Sequence, residues 1–290
     1  MTTGNQEQPH VFCFGLGYTA QHLATHLLAQ GWRVSGTHRS MDACEAERAH
    51  GITAYLFDKD MPLSDVWDMQ TITHLLISIP PDHTGDYVLQ YHRNDIEQLP
   101  NLQWIGYLST TGVYGDYQGE WVDETSPLHA ATDRTVQRVD AEKAWIASTL
   151  PVHIFRLAGI YGPGRNALET VKHGTAKRID KPGQYFSRIH VADIVQMLSA
   201  SMARPNPPAI YNGCDDAPCP QADVVTYAAQ LLAVEPPAFV TLEEAHLSEM
   251  GMSFYSQNRR VRNDKIKKEL GVVLQYPTYR EGLKALYVSG

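Results

Sequence analysis

Residues 11–31, VFCFGLGYTAQHLATHLLAQG, leave few folds open to this chain. Four apolar residues at 11–14, with no polar alternation, read as a strand buried on both faces. The run stops at Gly15, Leu16 and Gly17, a turn whose glycines let the backbone bend and approach closely. Ala20, Leu23, Ala24, Leu27 and Leu28 then recur at helical spacing, and Gly31 supplies the stop. A second apolar stretch, WRVSGT at 32–37, follows at once. Strand, glycine turn, helix and strand in immediate succession make a βαβ unit, which requires parallel strands covered by helices.

The pattern continues through ITAYLF (52–57), THLLISI (73–79), WIGYLS (104–109) and VHIFRL (152–157). Six such strands predict an α/β fold, a Rossmann-type doubly wound parallel sheet. The later segments differ: 162–188 is polar and glycine-bearing, and 205–220 is rich in proline and cysteine. With 233–262 they read as insertions that build a small C-terminal substrate lobe. The expected division is a nucleotide-binding core over 9–162 with returns near 189–214, and a substrate lobe and C-terminal segment over 163–188 and 215–290.

The chain has 290 residues and a net charge of −8. Without a basic surplus it is expected to bind neither nucleic acid nor an anionic membrane surface, so the partner expected is a small molecule. The first ten residues lack the charged and apolar regions of a signal peptide, and no apolar run is long enough to span a bilayer, so a cytoplasmic location is expected. Cys13, Cys44, Cys214 and Cys219 show no redox or zinc spacing, and thirteen histidines show no ligand spacing; no metal is expected.

Gly15, Gly17 and Ala20 make the pattern G-x-G-x-x-A between a strand and a helix. This geometry suits a dinucleotide: backbone N–H groups around Leu16, Gly17, Tyr18 and Thr19 would meet a pyrophosphate together with the helix dipole. After the second strand stands GTHRS, with Thr37, Arg39 and Ser40 and no acid until Asp42. An acid there would accept from ribose hydroxyls and favour NAD(H), whereas a guanidinium suits a 2′-phosphate, so NADP(H) is expected over NAD(H). Asp58 fits either an adenine contact or a turn.

LSTTGVYG (108–115), RLAGIYGPGR (156–165), SRIHVADI (187–194) and RRVRNDKIKKELG (259–271) with YPTYREGL (276–283) make the chain resemble the extended short-chain dehydrogenase/reductases, the NAD(P)-dependent epimerase/dehydratases. The resemblance implies that Thr110 donates to a substrate oxygen, that Ser78, Ile79 and Pro80 line the nicotinamide ribose, and that Ala158 to Tyr161 border the nicotinamide. It also implies an acidic pair after Thr110 in dehydratases, where this chain has Thr111 and Gly112.

The helix DRTVQRVDAEKAW (133–145) departs further. The family carries Y-x-x-x-K there, and counting from Pro127 or back from Glu142 puts Arg134 in the tyrosine slot and Arg138 in the lysine slot. A frame anchored on Lys143 puts Val139 there instead; in both, the tyrosine is absent. Arginine stays protonated and cannot serve as a base, though it can clamp an anion. Tyr114, Tyr185 and His190 are the remaining candidate proton donors, and Arg165 and Arg188 suggest an anionic substrate. Two readings stand: an atypical oxidoreductase-like enzyme acting on a small carbonyl, sugar-like or anionic substrate, with Thr110, Arg134, Arg138 and Tyr114 as site residues, or a non-catalytic dinucleotide sensor.

Overall fold

A computed structural model describes residues 8–63 and 69–289. Residues 1–7, part of the stretch read above for a leader, lie outside the described residues. In chain order the elements are β1 (His10–Phe14), α1 (Tyr18–Ala29), β2 (Arg33–His38), α2 (Met41–Ala49), β3 (Thr53–Leu56), β4 (His74–Ile77), α3 (Tyr87–Glu97) and β5 (Trp104–Thr110). A 3-10 turn (Thr111–Tyr114), β6 (Trp121–Val122), α4 (Asp133–Ile146), β7 (Val152–Leu157), β8 (Gly159–Tyr161), α5 (Ala167–Lys172), β9 (Arg178–Ile179), β10 (Arg188–His190) and α6 (Val191–Ala203) follow. The chain ends with β11 (Ala209–Gly213), α7 (Gln221–Leu231), β12 (Phe239–Val240), α8 (Glu249–Tyr255), β13 (Arg260–Val261), α9 (Asp264–Leu270) and α10 (Tyr279–Ser289).

Seven strands form one parallel sheet in the order β11-β7-β5-β4-β1-β2-β3. β1 is central: Val11 lies opposite Val34 of β2 on one side and His74 of β4 on the other. The chain first runs outward through β2 and β3 and then crosses to β4, so the strand order reverses beside β1, the point at which such sheets bind ligands. All six expected strands belong to this sheet. The seventh, β11, is an addition: its sequence AIYNG ends in an Asn-Gly pair that reads locally as a turn.

By internal contacts the chain forms two compact units. The first comprises Met1–Ser109, Val136–Phe155 and Leu198–Ile210. Its core joins Phe12 and Phe14 of β1, Leu75 and Ile77 of β4, Ile105 and Tyr107 of β5 and Trp145 of α4, all fully buried. Each such side chain contributes about 1.5–3 kcal/mol relative to exposure. The second unit comprises Thr110–Thr135, Arg156–Met197 and Tyr211–Gly290. Short parallel pairs β8 with β10, β9 with β12 and β6 with β13 brace it. One cluster there packs Leu168, Val224, Ala228, Tyr279 and Leu283, and another Ile179, Ala245 and Tyr255. Among the described residues no helix is long and apolar enough to cross a membrane.

Candidate dinucleotide site

In the first unit, Gly15 has φ +89°, a conformation costly for any residue with a side chain. A Cβ there would stand 2.8 Å from Ser78 Oγ and 2.9 Å from Ile79 Cγ1. The turn is tied on both sides: the Gly15 amide donates to Thr37 Oγ1 at 2.8 Å, and Ser78 Oγ donates to the Gly15 carbonyl at 2.5 Å. Leu16 is buried in the core, and its amide donates to the Thr37 carbonyl at 2.9 Å. Gly17 is the N-cap of α1 in extended conformation; no side chain caps it, and the first turn holds no acid. A Cβ at Gly17 would meet nothing within 4 Å. The positive end of α1 therefore opens beside Gly17, Tyr18 and Thr19, with space in front of it.

Two expected contacts change character here. Thr37 and Leu16 are both buried, at 1% exposure each. Their side chains support the turn from behind instead of facing a ligand. The Ser40 hydroxyl accepts from the Ala43 amide and caps α2, and Asp58 Oδ1 accepts from the Asp60 amide in a turn. Arg39 is exposed beyond the end of β2, Ile79 is half-buried, and Pro80 is exposed.

Also in this unit, the half-buried Arg138 donates to the Leu108 carbonyl at 2.9 Å and the Tyr107 hydroxyl at 3.2 Å. Its guanidinium stacks 5.6 Å from the Tyr107 ring centroid. Glu142, one turn further along α4, is buried and accepts from the Ser109 hydroxyl. Arg138 is therefore a cation committed to strand β5.

In the second unit, Thr110 Oγ1 accepts from the Gly112 amide at 3.0 Å, which leaves the hydroxyl proton to donate. Arg134 is exposed on the first turn of α4, 5.3 Å from the Phe254 ring centroid. Tyr114 is fully buried: it donates to Asn212 Oδ1 at 2.7 Å and accepts from Arg156 at 3.1 Å. Burial outweighs the guanidinium and pushes the phenol up to about 12. Its proton is held in a closed network. Ala158, Tyr161, Arg188 and His190 are likewise buried, while Arg165 is exposed. The His190 ring packs edge-on to Tyr161 at 5.1 Å and against Tyr276 at 4.1 Å. Arg188 donates to the Phe186 carbonyl, Cys219 and Gln221.

Sequence reasoning missed Arg156, Asn212 and Tyr276 as partners of the expected residues. Tyr114 and Asn212 are 98 positions apart, and polar residues inside strands carry no local signal of their partner.

No protein-family model matches the chain. The chain is 30% identical to protein YeeZ of Escherichia coli K12 over 280 residues, 91% of this chain and 94% of YeeZ. A solved structure of a functionally unknown conserved protein from Silicibacter pomeroyi matches at 51% identity and TM-score 0.89, over 97% of this chain and 99% of that one. The dTDP-glucose 4,6-dehydratase of Bacillus anthracis, solved in complex with NAD, matches at 15% identity and TM-score 0.78, over 97% and 96%. The seven-stranded parallel sheet with flanking helices is a Rossmann-like α/β fold that matches solved epimerase/dehydratases. Within that fold the chain belongs to the family of protein YeeZ.

Proposed function

We propose that this protein binds a nicotinamide dinucleotide, NADP(H) in preference to NAD(H), and acts as an oxidoreductase on a small anionic carbonyl or sugar-like substrate without a tyrosine-lysine acid/base pair. The observation that carries the reading is the uncapped, acid-free N-terminus of α1 at Gly17, with open space where a Cβ would be. Such a terminus suits a pyrophosphate. The dinucleotide held by the Bacillus anthracis fold neighbour supports the same reading.

The amides of Gly17, Tyr18 and Thr19 would hold the pyrophosphate, and Arg39 the 2′-phosphate; Thr37 and Ser78 act through the Gly15 turn. Resemblance assigns Ile79 and Pro80 to the ribose and Ala158 and Tyr161 to the nicotinamide. When bound, the cofactor supplies hydride transfer. Thr110 donates its free hydroxyl proton to a substrate oxygen. Arg134, which has exposed donors and no ion pair among the described residues, clamps an anionic group. Arg165 serves the same end. Arg138 stays on β5 and Tyr114 keeps its proton on Asn212, so neither moves a proton.

That locked Tyr114 also favours a second reading, a dinucleotide sensor that binds without turnover. The test is to measure NADPH and NADH binding by calorimetry and to follow NADPH absorbance across a panel of anionic carbonyl compounds and nucleotide sugars. Binding with consumption supports the enzyme, and binding with none across the panel leaves the sensor. Absence of binding removes both.

A further inference from the structure

The segment joining β11 to α7, residues 214–220, carries a carboxyl group unused by the function proposed above. Asp215 is 2% exposed. Its amide donates to the Arg188 carbonyl at 2.6 Å, and Oδ1 accepts from the Ala217 amide at 3.2 Å. Oδ2 is buried with no hydrogen-bond partner among the described residues. Arg188, on the neighbouring strand β10, is itself 7% exposed and is committed elsewhere. Its Nη1 donates to the Phe186 carbonyl at 2.9 Å and to Cys219 Sγ at 3.1 Å, and its Nη2 donates to Gln221 Oε1 at 3.0 Å.

A buried carboxyl beside a guanidinium aimed at other acceptors has two stable arrangements. As an acid it demands little of its surroundings; as an anion it needs the nearest cation. We propose that Asp215 is a proton-operated latch on Cys219: uncharged, it leaves Arg188 holding Cys219 and Gln221, and once ionised it draws the guanidinium to itself and releases the thiol. The proton goes to solvent, and no covalent bond changes.

The groups facing Asp215 set the range in which the latch works. Burial pushes its carboxyl up to about 7, Arg188 and the Ala217 amide pull it down, and Asp216 and Asp193 push it up again. Asp193 stands on α6, and Tyr161 on β8 also senses the Asp215 charge. Arg188 is the cation named among these groups. Because the folded value lies above the ordinary 3.8, the neutral form stabilises the fold. That stability is full below about 4 and is lost as pH rises to about 7, up to tenfold in the unfolding constant per pH unit.

Cys219 reports on the latch, since Cys13, Cys44 and Cys214 are buried and Cys219 is partly exposed. The intact protein is treated with iodoacetamide from pH 5.5 to 8.5, and modification of Cys219 is followed by mass spectrometry. Arg188 favours the Cys219 thiolate and a charged Asp215 opposes it, so in wild type the rate is expected to climb less steeply than the tenfold per pH unit of a simple thiolate while pH passes through 7. Asp215→Asn, which keeps Arg188 on Cys219 at every pH, should follow the simple slope and lie about tenfold above wild type at pH 8. Carbon-13 NMR of the Asp215 carboxyl in wild type, which requires no substitution, should show a midpoint near 7. A midpoint in the ordinary carboxyl range, or one shared reactivity profile for wild type and variant, overturns the proposal.

Discussion

Arg138 donates to the backbone carbonyl oxygen of Leu108 at 2.9 Å. This bond fixes a guanidinium to strand β5 in the position that resemblance gives to a lysine. Arg134, one turn earlier, is exposed, with its guanidinium 5.3 Å from the Phe254 ring centroid. The two arginines therefore differ in kind, and stability measurements should separate them. Arg138→Ala strips a hydrogen bond from Leu108 and from Tyr107, at a cost of about 1–3 kcal/mol. Arg134→Ala should stay within about 0.5 kcal/mol of wild type, as exposed substitutions do. Urea unfolding decides, and equal losses would refute the distinction.

The two glycines of the α1 turn should separate in the same way. Gly17 has extended φ and ψ that valine adopts readily, with free space around it. Gly17→Val should therefore leave stability nearly unchanged while abolishing dinucleotide binding, because the side chain fills the space needed by the pyrophosphate. Gly15→Ala meets Ser78 and Ile79 at positive φ and should lose about 1–3 kcal/mol of stability. Thermal unfolding and NADPH calorimetry on both variants test the pair. A Gly17→Val protein that still binds like wild type ends the cofactor reading.

The contrast also marks what the sequence made legible. Strands β1 to β5 and β7 follow from apolar runs bounded by turns, and the α1 turn follows from Gly15, Gly17 and Ala20 standing between a strand and a helix. Strand β11 was hidden because Asn212 and Gly213 read locally as a turn. In the fold Gly213 is there for space: a Cβ would lie 2.7 Å from Leu157 Cδ2. Thr37 illustrates the limit at the site. Its position after β2 was readable, but its burial and its bond to Gly15 arise only when β1 and β2 are paired. Arg188 and Arg165, equal in sequence, part company for the same reason, one buried among carbonyls and the other exposed.

The proposed preference for NADP(H) rests on Arg39. Its guanidinium is exposed beyond the end of β2, and a charge-assisted hydrogen bond to a 2′-phosphate contributes about 1.5–3 kcal/mol. Arg39→Ala should weaken NADPH binding roughly tenfold to a hundredfold and leave NADH nearly unchanged. The measurement is a paired titration of wild type and variant. Equal affinities for the two cofactors in wild type would sink the preference.

His74 gives the first unit an acid limit. It is 4% exposed, with Trp32 packed edge-on at 4.8 Å and Thr73 Oγ1 at 2.8 Å from Nδ1. Burial, opposed by a hydrogen bond that the ring donates to the Met202 backbone, lowers its pKa to about 4. The folded value lies below the ordinary 6.5, so the neutral ring stabilises the fold. That contribution is complete above about 6.5 and is lost as pH falls towards 4, about 3 kcal/mol in all. Urea midpoints between pH 7 and 4 should fall accordingly, and His74→Gln should flatten the slope. An unchanged slope in the variant would assign the acid sensitivity elsewhere.

Nucleotide-sugar epimerisation and dehydration by a tyrosine route need a group that gives and takes a proton beside the substrate hydroxyl, worth about 10²–10⁴ in rate. Arg134 cannot release its proton near neutrality, and Thr111 and Gly112 offer no carboxylate. Tyr114 is neutral, fully buried and bonded at both its proton and its oxygen. Wild type assayed with a panel of nucleotide sugars should therefore show at most slow turnover from orientation alone, with no inflection near neutral pH. Thr110 would still orient a substrate oxygen through its free proton, so Thr110→Val should reduce even this residual rate. Tyr114→Phe should cost about 1–3 kcal/mol of stability by removing the hydrogen bonds to Asn212 and Arg156, and should leave any residual rate unchanged. Brisk turnover with a group titrating near pH 7, lost in Tyr114→Phe, would show that the buried phenol reaches the substrate after all, and would return the tyrosine to the site from a different strand end.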